Sequence, residues 1–423
     1  MFFKIIILLY DVLLPFGFLA FLPGLLWKLI FRPGWKKTFP ERFGFFSAAR
    51  LARWHGENGG IWLHAVSVGE TMIALSLIRK LLAADPERRI ILSTTTTTGQ
   101  ELARSKAPSQ VQVIFAPIDF PWTVARFFRL LKVDELAIFE TEIWPNMILQ
   151  AKKRSVRLAL VNARMSDHSS RGYRRFRFFF APLLAKFDVI AAQSRADGDR
   201  FLTVSPEANV SVTGNLKFDQ FIDPALAPVD FAGYFGAGKI SVLIGSSTHP
   251  GEEELLIRVF KTLRGNFPAL RLVLAPRHAE RGGEVAAQLK AAGLSFARRS
   301  VEASSAPVDV LLADTTGELV RLMKGADVVV MGKSFAGQDG GHNPIEPALL
   351  GKPVVTGEKM SNFRFVMKVL SAADGVVVTS DAQLASVVAG LLSDPEKAAG
   401  IGERGRAAIA VNCGATDKLI ALL

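Results

Sequence analysis

Residues 60–70 read GIWLHAVSVGE, and this stretch sets the architecture that we expect for the whole chain. Its first part is an apolar run with the length of a buried strand, and Gly69 permits a tight turn after it. From Glu70 to Leu82, apolar residues recur every three or four positions, which is typical of an amphipathic helix. A buried strand, a glycine turn and a helix are the first elements of a parallel α/β sheet.

The same alternation continues along the chain and restarts once. Between the two series, residues 219–238 are rich in Pro, Ala and Gly without periodicity, which indicates a domain boundary. We therefore predict an α/β protein of two Rossmann-like, doubly wound domains, residues 32–222 and 223–423, which face a cleft. The predicted strands are residues 60–66, 89–94, 112–116, 135–139, 157–161, 189–192, 240–245, 270–275, 308–313, 328–331, 352–355 and 375–379.

Composition limits the class of partner. The chain has 423 residues, and its 51 Lys and Arg exceed its 39 Asp and Glu, giving a net charge of +12. Such a surface suits nucleic acid, an anionic membrane or anionic small molecules. No zinc-finger spacing or basic-region helix is present, so we expect no nucleic-acid partner, and we infer no obligate protein partner. The single cysteine, Cys413, excludes an intramolecular disulfide.

The N-terminus is predicted to be a membrane anchor, residues 1–31. Residues 5–31 are almost wholly apolar, with Asp11 as the only charge before Lys28. A helix of that length would measure about 40 Å, against a hydrocarbon core of about 30 Å. Prolines and glycines interrupt the apolar run, at Pro15, Gly17, Pro23 and Gly24. A broken or half-inserted helix is therefore an alternative to a full span, and a cleaved signal peptide is a further alternative.

Basic residues follow the anchor and are expected to keep the body of the protein on the cytoplasmic side of the membrane. These residues are Arg32, Lys36, Lys37 and Arg42. Residues 171–180 combine arginines with phenylalanines, which suits either a membrane-facing surface or a solvated helix with one aromatic core face.

Three carboxylates follow predicted strands of the first domain. Glu70 stands at the start of a helix, where it either accepts a proton from a sugar hydroxyl or merely favours the positive end of the helix dipole. Glu140 and Glu142 lie directly after a strand, on a segment that we expect to be extended. We expect these two carboxylates to face opposite ways, so that one faces the active site and the other has a structural role.

The loops of the second domain carry groups suited to a nucleotide. Arg277 follows a strand and can hold a phosphate with two parallel hydrogen bonds. Residues 314–319 (DTTGEL) and 340–347 (GGHNPIEP) each join a glycine turn to a helix start, and Glu346 can accept hydrogen bonds from ribose hydroxyls. For His342 we favour a hydrogen-bonding or packing role over metal ligation, since no His-x-x-x-His spacing is present. No metal site is predicted.

Nine stretches in order along the chain resemble the 3-deoxy-D-manno-octulosonic acid (Kdo) transferases of lipopolysaccharide synthesis. They are HAVSVGE (64–70), TTTTTG (94–99), ETEIWPN (140–146), NARMS (162–166), TGNLKFD (213–219), STHPGEE (247–253), PRHAER (276–281), DTTGEL (314–319) and GGHNPIEP (340–347). Two local departures are visible: residues 331–334 read MGKS where a Gly-Gly-Ser turn is usual, and Ala279 stands where proline usually follows PRH.

The resemblance implies a GT-B fold and an inverting transferase that moves Kdo from CMP-Kdo to the lipid A precursor, lipid IVA, without a cofactor or metal. It implies that Glu70 is the general base and Glu140 a second essential acid. It also implies that CMP contacts Pro276, Arg277, Thr316, Gly317, Glu318, Asn343, Pro344, Ile345 and Glu346. Two alternatives are a GT-B transferase with a UDP-sugar donor and a non-catalytic, membrane-tethered nucleotide-binding protein.

Overall fold

The chain forms two α/β units in a computed structural model, which describes residues 2–31, 38–52, 59–220, 222–301 and 307–423. The first unit comprises Met1–Asp219 and Cys413–Leu423, and the second comprises Gln220–Asn412. Each unit contains a parallel sheet of seven strands, which confirms the predicted fold class.

The first sheet has the strand order β3-β2-β1-β4-β5-β6-β7. Every residue of the central strand β1 is buried, because helices cover both faces of the sheet. Alternate side chains serve different faces: Trp62 packs in one apolar cluster, and Ile61 and Leu63 pack in the other. The strands are β1 (Ile61–Ala65), β2 (Ile90–Thr94), β3 (Gln112–Phe115), β4 (Glu135–Phe139), β5 (Arg157–Ala163), β6 (Val189–Ala192) and β7 (Val210–Val212).

Helices connect these strands, and the strand order reverses between β1 and β4. At such a reversal the loops after the two neighbouring strands diverge, which opens a crevice at their carboxyl ends. The helices are α1 (Phe2–Phe31), α2 (Ala48–Ala52), α3 (Val68–Ala84), α4 (Thr97–Lys106), α5 (Pro121–Leu131), α6 (Pro145–Lys153), α7 (Asp167–Arg175), α8 (Arg177–Leu184) and α9 (Arg195–Val204).

The second sheet has the order β10-β11-β9-β8-β12-β13-β14 and reverses between β8 and β12. Its strands are β8 (Ser241–Thr248), β9 (Leu270–Pro276), β10 (Phe296–Arg298), β11 (Val310–Leu312), β12 (Val328–Met331), β13 (Val354–Thr356) and β14 (Val377–Val378). The helices from here to the end of the chain are α10 (Ala232–Phe235), α11 (Glu252–Arg264), α12 (Gly282–Ala291), α13 (Leu319–Gly325), α14 (Ile345–Leu349), α15 (Arg364–Ala372), α16 (Leu384–Ser393), α17 (Pro395–Val411) and α18 (Ala415–Ile420).

The end of the chain differs from the predicted domains, which assigned all of residues 223–423 to the second. Residues 413–423 instead belong to the first unit, and the division falls after Asp219. The carboxylate of Asp219 accepts hydrogen bonds from the backbone N–H groups of Gly414, at 2.6 Å, and Thr416. Leu419 is fully buried in the same apolar cluster as β1. The prediction assumed continuous domains, and a six-residue helix has too short a pattern to show otherwise.

Helix α1 lies along the first unit rather than standing apart from it. Its ring contacts join Phe2 to Phe178, Tyr10 to Phe179, and Phe18 to Phe43 and Phe120. The half-buried positions recur at helical spacing, at Phe3, Ile6, Ile7, Tyr10, Asp11, Leu14, Pro15 and Phe18. The opposite face is apolar and exposed, with Ile5, Leu8, Leu9, Val12, Leu13, Phe16 and Leu19.

By length and composition, Phe2–Ala20 could cross a membrane. Of the basic residues predicted to follow the anchor, Arg32, Lys36 and Lys37 lie outside the described residues. Arg42 is described, but its guanidinium stacks over the ring of Phe115 at 4.4 Å and donates a hydrogen bond to the carbonyl of Thr95 at 2.7 Å. The side chain of Arg42 is therefore used in contacts within the first unit.

Candidate functional site

Glu70 lies in the first turn of α3, at the carboxyl end of β1. Ser67 is the N-cap residue, and its hydroxyl accepts a hydrogen bond from the backbone N–H of Glu70 at 3.2 Å. The carboxylate of Glu70 in turn accepts the Ser67 hydroxyl at 2.7 Å and the backbone N–H of Val66 at 2.8 Å. This side chain is only 6% exposed. Glu70 thus lies at the positive end of the helix dipole, as considered from the sequence, and its carboxylate, with about four lone-pair sites, can accept further hydrogen bonds.

The segment after β4 turns sharply and brings two more carboxylates near Glu70. Glu140 has a φ of 56°, in the left-handed region, so the segment is not extended. Burial raises the pKa of Glu140 and of Glu142, and the negative charge of Glu70 raises both further. The expectation that Glu140 and Glu142 face opposite ways is wrong: residues two apart share a face even on an extended segment, and here the charge of Glu70 affects both carboxylates.

Cationic groups partly offset this negative charge. The charges of Lys217 and Arg164 lower the pKa of Glu140 against the effect of burial. The turn is tied to the loop after β5, because the hydroxyl of Thr141 donates a hydrogen bond to the carbonyl of Arg164. The loops after β1 and β4, the strands that flank the reversal of the first sheet, thus carry three carboxylates whose charges affect one another, and the loop after β5 adds the cation Arg164.

The basic and aromatic stretch, residues 171–180, spans the end of α7 and the start of α8. Its arginines are exposed, as are Phe176 and Phe178, whereas Phe179 and Phe180 are half-buried and pack against the core. The stretch therefore has both predicted features, a basic aromatic surface and an aromatic face directed inward.

In the second unit, one buried carboxylate organises the loop after β12. Glu252, in the first turn of α11, is 2% exposed and accepts four backbone N–H groups at 2.8–3.0 Å. One donor is His249, and the others are Lys333, Ser334 and Phe335. Gly332 is required beside them, because a Cβ at that position would lie 2.2 Å from the carbonyl oxygen of Ser247. The unusual MGKS turn is thus held by a defined set of hydrogen bonds.

Two histidines from different loops are hydrogen-bonded at this end of the second sheet. The Nε2 atoms of His249 and His342 are 2.9 Å apart, and the rings stack at 5.1 Å. This confirms the predicted hydrogen-bonding role of His342. Burial lowers the pKa of His342 to about 3, and the charges of Arg277 and Lys333 act in the same direction. The same positive charges would attract an anion to this end of the sheet.

The residues that the sequence singled out for CMP fall into two groups by exposure. Arg277, Thr316 and Gly317 are exposed at the carboxyl ends of β9 and β11. Pro276, Pro344 and Ile345 are buried, so only their backbone groups are placed to meet a ligand.

The polar members of the set have partners of their own. Glu318 is held by Arg299 at 2.8 Å, and the hydrogen bonds from Arg299 and then Thr315 lower the pKa of this carboxyl to about 2. The amide of Asn343 donates to the Gln220 side chain at 2.8 Å. Glu346 is half-buried in the first turn of α14. The structure thus gives Glu318 a role in fixing its turn.

Sequence reasoning missed His249, Lys333 and Glu252 as parts of this loop cluster. The signal available was their position directly after β8 and β12, the two strands that flank the reversal of the second sheet. Within the described ranges, no group of three or more His, Cys, Asp or Glu is arranged to hold a metal ion.

Comparisons with known proteins agree on one family. The family model for 3-deoxy-D-manno-octulosonic-acid transferase (kdotransferase) matches residues 37–220. A 3-deoxy-D-manno-octulosonic acid transferase of Haemophilus influenzae is 32% identical over 397 residues, 92% of each chain. Its counterpart in Bordetella pertussis is 35% identical over 409 residues, 93% of this chain and 94% of the relative. A solved glycosyltransferase from Rickettsia africae shares the fold, with a TM-score of 0.56 and 12% identity over 86% of this chain and 98% of its own.

Proposed function

Because the chain belongs to the Kdo transferase family of glycosyltransferases, we propose that it transfers Kdo from CMP-Kdo to the lipid A precursor, lipid IVA. The observation that carries the proposal is the grouping of Glu70, Glu140 and Glu142 at the reversal of the first sheet. An acceptor hydroxyl needs such a base in order to attack. A purified-enzyme assay with CMP-Kdo and, separately, UDP-sugars tests it: transfer from a UDP-sugar alone would exclude it.

In the proposed reaction, the carboxylate of Glu70 takes the proton of an acceptor hydroxyl while that oxygen attacks the anomeric carbon of Kdo. The bond from this carbon to the phosphate oxygen breaks on the opposite side, so the configuration inverts and CMP leaves with the electron pair. Glu140, whose pKa is raised first by burial and then by the charge of Glu70, is proposed as the second essential acid.

The second unit is proposed to bind the donor. CMP-Kdo carries a phosphate and a carboxylate, and Arg277 and Lys333 both lie close enough to His342 to lower its pKa. Positive side chains of this kind stabilise the charge that develops on the leaving phosphate, so the proposed reaction needs no metal.

Arg277→Lys and Glu346→Ala are expected to weaken CMP binding about tenfold each. Lysine keeps the charge of Arg277 but loses the planar fork that binds phosphate bidentately, and alanine removes the proposed acceptor for the ribose hydroxyls. Calorimetry with CMP measures the effect, with Arg404→Lys on the exposed face of α17 as control. Wild-type affinity in both site variants would exclude this site.

We further propose that α1 lies in the interface of the bacterial inner membrane, on the cytoplasmic face, rather than crossing it. The support is its packing along the first unit on one face and its exposed apolar stripe on the other. An apolar stripe on a helix held against a soluble unit inserts sideways, by about 5–10 Å.

Phe16→Asp is therefore expected to move the protein from the membrane to the salt-washed supernatant, by about tenfold or more, because a charge in the apolar region costs about 2.5–3.5 kcal/mol. Phe16 is 64% exposed, so the helix itself should persist. Flotation with vesicles containing anionic lipid measures binding. The control is Val411→Asp, which alters an apolar residue that is 85% exposed in the second unit. If both variants left the membrane to the same extent, or if neither did, the result would contradict this mode of insertion.

A further inference from the structure

The N-terminus of α6 is capped by a residue from another loop. Its own N-cap residue, Trp144, has no side-chain cap, and Pro145 occupies the first helical position. The backbone N–H groups of the next two residues, Asn146 and Met147, have no acceptor within the helix, and each donates to the carboxylate of Asp119 at 2.9 Å. Because free N–H groups at a helix start need an acceptor, Asp119 fixes where α6 begins.

Helix α1 reaches the same carboxylate. The hydroxyl of Tyr10 donates to Oδ2 of Asp119 at 3.0 Å, although the two residues are 109 positions apart. The side-chain amide of Asn146 uses both of its hydrogens, one on Asp11 of α1 and one on the carbonyl of Asp119, each at 2.7 Å. Asp11, the only acidic residue in the sequence of α1, therefore accepts a hydrogen bond from the start of α6.

These contacts lie beside the turn after β4 that carries Glu140 and Glu142. Asp119 is 2% exposed and Asn146 is 3% exposed, whereas Tyr10 and Asp11 are half-buried. A buried polar group that loses its partner has no solvent to replace it. Trp144, immediately before α6, donates from Nε1 to Glu142 at 3.1 Å, which joins the helix start to the turn.

We propose that Tyr10 and Asp119 are positioning residues for the transfer: they fix the start of α6 and, through it, the turn that carries Glu140 and Glu142. The inference rests on the proposed function for its effect on catalysis. On this account the membrane helix does more than hold the enzyme at its lipid substrate, because the same helix holds the carboxylates in place.

Tyr10→Phe in the full chain tests the proposal, since it removes one hydroxyl and keeps the ring that packs on Phe179. We expect kcat with CMP-Kdo to fall about tenfold, both with lipid IVA and with a water-soluble acceptor analogue, while KM for CMP-Kdo and the membrane-bound fraction stay unchanged. Hydrogen exchange at the amides of Asn146 and Met147 should become about tenfold faster.

Phe18→Leu is the matched control, because it alters packing of the same helix on Phe43 and Phe120 without touching these hydrogen bonds. It should leave both kcat and the exchange at α6 close to wild type. Asp119→Asn keeps the size of the side chain but removes one acceptor oxygen, so it should exceed Tyr10→Phe in both effects.

Wild-type kcat and wild-type exchange in Tyr10→Phe would overturn the proposal. So would a loss of activity confined to lipid IVA, which would make the contact an anchoring one. A wild-type protein that does not use CMP-Kdo would refute the proposed function instead. In that case the exchange measurement still decides whether Tyr10 holds the start of α6.

Discussion

Glu70→Gln is expected to lower turnover by about 10²–10⁴-fold with CMP affinity unchanged, because glutamine cannot accept the proton of the acceptor hydroxyl. The fold should tolerate the change, because the side-chain oxygen of glutamine can still accept a hydrogen bond from the backbone N–H of Val66 or from the hydroxyl of Ser67. Steady-state rates at saturating donor and acceptor measure the effect.

A second variant separates the capping role of Glu70 from its proposed role as a base. Ser67→Ala removes the N-cap hydroxyl and should cost about 1 kcal/mol of stability, while it leaves the carboxylate in place. Turnover in Ser67→Ala should therefore stay within about tenfold of wild type. If Glu70→Gln keeps near-normal turnover, the base is another group, and Glu140 becomes the first candidate.

Glu252→Gln is expected to destabilise the second unit on the order of 2–4 kcal/mol, since buried N–H groups that lose their acceptor carry a desolvation cost. The two carboxylate oxygens of Glu252 each accept two backbone N–H groups, whereas glutamine offers one oxygen and turns an NH₂ group toward the other pair. Urea unfolding followed by circular dichroism measures the loss.

CMP affinity should fall in the same variant, because His249 and Lys333 are both held by Glu252. Glu403→Ala on α17 serves as control: it removes a carboxylate from an exposed pair with Arg406 and should leave the unfolding curve unchanged. An unchanged unfolding midpoint in Glu252→Gln would show that the loop after β12 has other support.

The sheets could be predicted from the sequence to a large extent, since twelve runs with strand-like apolar patterns matched observed strands. The two strands that were missed, β7 and β10, have three residues each and lie at sheet edges. A strand that short shows no periodicity, and its pairing depends on a neighbour distant in sequence. Helix α18 is also too short to show a pattern, and it is held by a hydrogen bond from Gly414 to the distant Asp219.

For the candidate site, position after a strand was enough to find Glu70, Glu140 and Arg277, because parallel strands end at one edge of the sheet. Side-chain direction was not accessible in this way. Glu140 and Glu142 do not face opposite ways as expected, and nothing in the residues ETE specifies the left-handed backbone at Glu140. Contacts such as Tyr10 with Asp119 join distant segments, so no local pattern indicates them.

The placement of residues 413–423 in the first unit has a consequence for synthesis of the protein on the ribosome. About 190 residues of the second unit leave the ribosome before α18 does. At roughly 5–20 residues per second, the first unit waits about 10–40 s for its last helix. During that interval the apolar cluster that contains Leu216 lacks the side chain of Leu419. The nascent first unit therefore completes its apolar core only after the second unit has been synthesised, and a ribosome that stalls within the second unit leaves that core incomplete.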